Sequence, residues 1–248
     1  MIQVIRRALD ILECVANAPE TPKGLGEIAE RVGLNAATCA RILQTLVAAG
    51  YVEQLGPRKG YRLGPMAYAL AAQGPYRKDL VHVAQPVLER LAGETQETVL
   101  LAVLHQGRRV TLCEVEGTQI VQVRSDRLQL YDPLRTATGR LLLAYLDDTR
   151  RKSCLETSET YATAPVSTRE QMEAELVQAR RDGRVTRTSE GHVVGIAYPV
   201  WEGETVAAAL GLHLPEHRFT GEHRDRVLEA MERAAREMSE RVRARRPA

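Results

Sequence analysis

Apolar residues recur at every third or fourth position through the first part of the chain. Val4, Ile5, Ala8, Leu9, Ile11, Leu12, Val15 and Ala16 form one such stripe and predict a helix over residues 4–16. Pro19 and Pro22 interrupt the pattern. Leu25, Ile28, Ala29 and Val32 predict a short second helix that Gly33 ends. Asn35 suits the N-cap of a third helix, whose buried stripe is Cys39, Ile42, Leu43, Leu46 and Val47, with Gly50 just past its end. The period then changes to two: residues 51–55 and 61–63 predict strands around the turn Gly56-Pro57-Arg58-Lys59-Gly60.

A small-residue helix over 66–73 ends at Gly74-Pro75, where a domain boundary is expected. Residues 80–91 predict an amphipathic helix with Pro86 as a kink or a start. Residues 98–104, 110–116 and 119–124 predict three strands, and their short connections require an antiparallel meander. Helices are predicted over 138–145 and 168–181. The second opens on the overlapping capping-box patterns Ser167-x-x-Glu170 and Thr168-x-x-Gln171 and closes at Gly183. Strands over 192–201 and 206–214 flank Glu202-Gly203-Glu204. A last helix begins near Gly221, with Val227, Met231, Ala234, Met238 and Val242 on one face. The pattern is that of an α+β chain: a winged helix-turn-helix domain (1–64), a linker helix (65–76) and an antiparallel-sheet domain (77–248).

Charge adds to this picture. The 248 residues carry a net charge of only +2, which alone does not suggest nucleic acid. Between Arg31 and Lys78, however, seven bases (Arg31, Arg41, Arg58, Lys59, Arg62, Arg77, Lys78) meet one acid, Glu53. That window holds +6 and leaves −4 for the remainder. A recognition helix enters the major groove by its N-terminal residues. Here these are Asn35, Ala36, Ala37, Thr38 and Arg41, with Gln44 and Thr45 a turn later. Small Ala36 and Ala37 permit close approach, while Asn35, Arg41 and Gln44 offer groups to base edges. Arg58, Lys59 and Arg62 suit backbone phosphates.

Other chemistry is sparse. The four cysteines (Cys14, Cys39, Cys113, Cys154) are widely spaced and read as reduced thiols of a cytoplasmic protein. Apolar runs at 99–104 and 141–146 are far short of the ~20 residues that span a bilayer, and no secretory leader is evident. His213 and His217 lie at a metal-like interval, but Pro215 between them rules out a shared helical face, and no metal or cofactor is expected. No GxSxG, P-loop or GxGxxG occurs, so an enzyme is not expected.

Several motifs resemble IclR-type transcriptional regulators in order and spacing. They are Arg7-Ala8-Leu9-Asp10-Ile11-Leu12, Gly33-Leu34 running to Arg41-Ile42-Leu43-Gln44-Thr45-Leu46, Gly50-Tyr51-Val52-Glu53 and Tyr61-Arg62-Leu63-Gly64. Val87-Leu88-Glu89-Arg90-Leu91, Thr136-Ala137-Thr138-Gly139-Arg140 and Gly195-Ile196-Ala197-Tyr198-Pro199-Val200 continue the likeness. The resemblance implies binding to double-stranded operator DNA as a homodimer or homotetramer. It also implies a GAF-like C-terminal domain that takes a small effector, often a carboxylate, at the helix start after Thr136, Ala137, Thr138 and Gly139. A helix N-terminus attracts carboxylates in any case, although the same stretch also reads as a plain capping turn. The chain departs from the family where many members carry an acid, here Arg187, and where a pocket serine is frequent, here Gly211; Gly195 replaces a small polar residue. Arg187 is expected either to face the cavity and pair with an anionic effector, the two glycines making room, or to lie on the surface beside Arg184.

Overall fold

A computed structural model describes residues 2–17, 21–73, 78–123 and 131–244. Pro19, Gly74, Pro75, Arg77 and Arg124 lie outside them. The chain divides into two compact units. The first contains helices α1 (Gln3–Ala16), α2 (Leu25–Arg31) and α3 (Ala36–Ala48), the hairpin of β1 (Val52–Gln54) and β2 (Tyr61–Leu63), and helix α4 (Pro65–Gln73). Its core is what the 3.6-residue stripes predict: Ile11, Cys14 and Val15 of α1 meet Ile28 and Ala29 of α2 and Cys39, Ile42, Leu43 and Leu46 of α3. The N-terminal part of the α1 stripe departs from expectation, because Val4, Ile5 and Leu9 are exposed. Gly33 and Gly50 carry φ of +65° and +76°, so each supplies the left-handed residue that ends a helix.

The second unit is an antiparallel sheet of β3 (Thr98–His105), β4 (Arg108–Val115), β5 (Val185–Thr188), β6 (Val193–Glu202) and β7 (Thr205–Pro215), in the order β4-β3-β7-β6-β5. Helices α5 (Lys78–Thr95) and α10 (Gly221–Ala244) cover one face. There Val99, Leu101 and Val103 of β3 and Leu210, Leu212 and Leu214 of β7 join one core. Helix α6 (Ala137–Ala144) covers the other face, against Ala197 and Ala209. Burial on both faces explains the unbroken apolar run in β3. Helices α7 (Asp148–Glu156), α8 (Glu159–Thr163) and α9 (Val166–Asp182) connect α6 to β5.

Two expectations are corrected. The predicted third strand of the meander does not form over 119–123, so β4 is a sheet edge and β3 pairs with β7 instead. Gly117 and Thr118 are tied to the α5–β3 turn: Gly117 N donates to Thr98 Oγ1 and Thr118 N to the Gln96 carbonyl. The chain is thus held there, and it meets β4 again at Tyr131, which bridges Arg109. Helix α9 begins at Val166 behind Pro165 and no side chain caps it, so Ser167 and Thr168 lie inside its first turn and the capping boxes are not used.

Helix α6 is the most constrained element, since all eight of its residues are buried. It enters from a 3-10 turn, Pro133–Arg135, that Asp132 caps by accepting from Leu134 N. Asp132 also accepts from Ser158 Oγ at 2.8 Å and Thr160 N at 3.0 Å, which ties the entry of α6 to the start of α8. Gly139 faces this turn so closely that a Cβ on it would stand 2.2 Å from the Pro133 carbonyl oxygen. Gly139→Ala is therefore expected to destabilise the C-terminal unit by about 1–3 kcal/mol, as overpacking does. Urea unfolding checks this, and an unchanged midpoint would mean that the turn does not sit against α6.

Candidate functional site

Two sites follow from this architecture, one in each unit. In the first, Asn35 Oδ1 accepts from Thr38 N at 2.8 Å, so the side chain that starts α3 is spent on capping and keeps only its amide donors for other work. Ala36, Ala37, Arg41, Gln44 and Thr45 are exposed and Thr38 is half-buried, while Cys39, Ile42, Leu43 and Leu46 face inward. Thr45 Oγ1 donates to the Arg41 carbonyl at 3.1 Å and keeps its lone pairs for accepting. On the wing, Glu53 and Arg62 are register partners and form an exposed ion pair at 2.9 Å. An exposed pair is worth about 0–1 kcal/mol, so a phosphate competes with Glu53 readily. Arg58 and Lys59 have no such partner among the described residues.

The second site lies where the α6 face of the sheet meets the start of that helix. Register places Arg187 of β5 opposite Gly195 of β6, and Gly195 opposite His213 of β7, so these residues share one row and one face. The next row is Ala197 and Gly211 beside Leu100 of β3. Side chains shrink to glycine and alanine where α6 packs. A Cβ on Gly211 would meet Thr138 Cγ2 at 2.6 Å, and one on Gly195 would meet Ala137 Cβ at 3.3 Å. The room these glycines make is therefore taken by the helix itself, not left to a ligand.

What remains is a cavity of about 150 Å³ lined by Arg135, Thr136, Ala137 and Thr138 at the helix start, by Arg187 and Ser189, and by His213 at its sheet side. Gly195 and Gly211 form part of the wall; Gly139 does not line it and serves the helix turn instead. Thr136 caps α6 by accepting from Gly139 N at 3.0 Å, which leaves the amides of Ala137 and Thr138 without intrahelical acceptors. Arg187 Nη1 donates to the Arg135 carbonyl at 3.1 Å. Arg187 is half-buried and lines the cavity, the position that the first of its two expectations gives it. Its charge also reaches Arg140, pushed down to about 10 first by burial and then by Arg187. No acidic side chain is among the described residues that line the cavity.

Three residues of this face escaped the sequence reading of the effector site. Arg109, on β4, is 1% exposed; its Nε donates to Thr138 Oγ1 at 3.2 Å and its guanidinium stacks over the Tyr131 ring at 5.4 Å. Arg109 Nη2, Thr111 Oγ1 and His213 Nε2 are buried and have no hydrogen-bond partner among the described residues. The available signal is alternation: Val110 and Leu112 pack toward α5 and α10, so Arg109 and Thr111 point to the α6 side. Sequence alone does not show that this side is buried too.

Burial, and then the charge of Arg109, push the His213 imidazole down to about 4. An unfolded histidine takes its proton near pH 6.5. Between these values the unfolded chain binds a proton that the folded protein does not, so the C-terminal unit loses stability as pH falls from about 6.5 to 4. The expected slope is at most about 1.4 kcal/mol per pH unit. Asp132 acts in a separate, lower window. Burial alone would raise its carboxyl, but hydrogen bonds from Thr160 N, Ser158 and Leu134 N hold it below the usual 3.8. Urea unfolding between pH 7 and 4 should show the slope in the wild type and lose it in His213→Gln; equal slopes would mean that His213 is protonated in the folded state.

Comparison with known proteins assigns both units to one family. The model of the IclR helix-turn-helix domain matches residues 4–56, and that of the bacterial transcriptional regulator IclR C-terminal domain matches residues 76–240. The chain is similar to the HTH-type transcriptional regulator Rv1719 of Mycobacterium tuberculosis, at 33% identity over 89% of this chain and 85% of the relative. It is also similar to the HTH-type transcriptional regulator KdgR of Dickeya chrysanthemi, at 26% identity over 97% of this chain and 80% of that one. A solved structure of an IclR homolog from Microbacterium hydrocarbonoxydans, complexed with 4-hydroxybenzoate, superposes with a TM-score of 0.74. It has 25% identity and the match covers 97% of this chain and 99% of that one. An exposed recognition helix on a basic wing, a C-terminal sheet domain with a cavity at a helix start, and family matches across most of the chain make this protein a member of the IclR family of helix-turn-helix transcriptional regulators.

Proposed function

We propose that this regulator binds operator DNA as a dimer and shifts its operator affinity when a small carboxylate occupies the α6 cavity. In this reading residues 1–64 bind DNA, 65–76 link, and 77–248 sense the effector and assemble the oligomer. The protein acts in the cytoplasm as a binding protein rather than an enzyme. The observation that carries the effector class is the composition of the cavity: Arg135, Arg187 and the head of α6 around a space with no acid among the described lining residues. Its volume, about 150 Å³, matches a cavity that holds benzene, so one small ring or a short chain fills it. The 4-hydroxybenzoate bound by the similar Microbacterium protein is of that size and charge.

The dimer rests on α1. Ile2, Val4, Ile5 and Leu9 each leave half or more of their surface exposed, a row that a second copy of the same helix would cover. Replacing Val4, Ile5 and Leu9 together by glutamate is expected to turn the dimer into monomers in sedimentation and to weaken operator binding. A variant that stays dimeric places the interface elsewhere.

Fluorescence anisotropy on the region upstream of the chain's own gene tests the DNA side. Arg41→Ala should cost about 1–3 kcal/mol on the cognate site if Arg41 reads a base. Lys59→Ala should weaken all sequences alike and lower the salt slope by about one. Unchanged binding in both variants would remove the wing and recognition helix from the interface. Benzoate should raise the melting temperature of the protein; its failure together with other small acids would remove the effector class.

A further inference from the structure

We propose that Arg109 sets the charge preference of the α6 cavity, acting through the hydroxyl of Thr138 rather than by touching the ligand. This rests on the reading of the cavity as an anion-binding effector site, and it names the residue that makes the site so.

Among the described residues Arg109 is a buried cation without a carboxylate in hydrogen-bond contact. Its Nε donates to Thr138 Oγ1 at 3.2 Å, its ring neighbour is Tyr131, and its Nη2 has no hydrogen-bond partner among the described residues. Burial is the dominant influence on the guanidinium and opposes its charge, while Tyr131 and then Glu114 favour it. Arginine keeps its proton even so, and a buried charge left uncompensated is costly. Folding alone gives no reason to keep it there. A ligand of opposite charge does.

Thr138 is the link. It is buried, lines the cavity and accepts the hydrogen bond from Arg109, so its own proton is free to be donated toward a ligand. That donor sits beside the amides that head α6. Three donors then converge on one place, one of them polarised by a full charge behind it. His213 also lines the cavity, and the field of Arg109 reaches it. The same field acts on whatever occupies the space between these residues.

Arg187 is the obvious rival, and its setting decides against it as the main determinant. Arg187 is half-buried at the rim and tethered to the Arg135 carbonyl, so water and salt still reach it. Arg109 lies in a low-dielectric surrounding where a unit charge acts several-fold more strongly at the same distance. Arg109 is thus a positioning residue that orients Thr138 and supplies the field, while Arg187 assists at the rim.

The test uses the full-length protein with benzoate and benzamide, which share shape and differ in charge, and reads both affinities by calorimetry. The wild type should bind benzoate at least tenfold more tightly than benzamide. Arg109→Gln and Thr138→Val should each reduce that ratio to within about threefold, chiefly by weakening benzoate. The double variant should lose no more than the worse single one, because the two residues act as one unit. Arg109→Lys should recover part of the ratio, and Arg187→Gln should reduce it less than Arg109→Gln does. Circular dichroism and ligand-free operator binding verify that each variant is folded. If Arg109→Gln keeps the wild-type ratio, or weakens benzoate and benzamide equally, Arg109 has no role in charge preference and the proposal is overturned. If the wild type itself shows no preference for benzoate or binds neither compound, the anion-site reading fails first and takes this proposal with it.

Discussion

The C-terminal unit depends on one close approach: a fully buried helix laid on the part of a sheet where side chains are smallest. Gly195, Ala197, Ala209 and Gly211 form a shallow trough across β6 and β7, and α6 fills it with Ala137, Thr138, Leu141 and Leu142. Because Thr138 takes the place of a Cβ on Gly211, the head of the helix is held against the sheet within a few tenths of an ångström. Everything polar on α6 must then find a partner inside. Arg140 does so with the Leu134 carbonyl and with Glu175. Asp132 does so for the approach to the helix, and the amides of the first turn are left without an intrahelical acceptor.

This constraint explains where the positive charge of the C-terminal unit matters. That part of the chain is neutral overall, and many of its surface arginines are paired, as Arg218 with Glu97 and Arg233 with Glu94 are. Around the head of α6 the pairing stops: Arg187 holds a backbone carbonyl and Arg109 a threonine hydroxyl. Polarity is kept, and countercharge is withheld. On the DNA side the logic is similar but exposed. Glu53 holds Arg62 only loosely, and Arg58, Lys59 and Arg41 remain available for phosphates and bases.

Much of the fold is legible in the sequence because its patterns are periodic and unambiguous. The stripe of α3, its Asn35 cap and the glycines at 33 and 50 mark the N-terminal unit nearly residue by residue. The long stripe of α10 does the same for the last helix. What is not legible has physical causes. The false third strand reads as alternation, yet hydrogen bonds to Gln96 and Thr98 hold that segment elsewhere. Helices α7 and α8 and strand β5 are short and half-polar, with too little period to stand out. The proposed effector site is half legible. Thr136, Ala137, Thr138 and Arg187 carry signals along the chain, whereas Arg109 and His213 join them only through strand register and a second buried face.

If the two sites work as one regulator they are coupled, and coupling in binding is reciprocal. The direct measurement is the affinity of the protein for benzoate by calorimetry, with and without saturating operator DNA. It is set beside the affinity for operator with and without saturating benzoate. The account predicts that both pairs change by the same factor, in the same direction, and by at least about fivefold, the lower end of ordinary allosteric coupling. Benzoate binding that is indifferent to operator would contradict it, because the cavity would then hold a ligand without informing the DNA-binding helices.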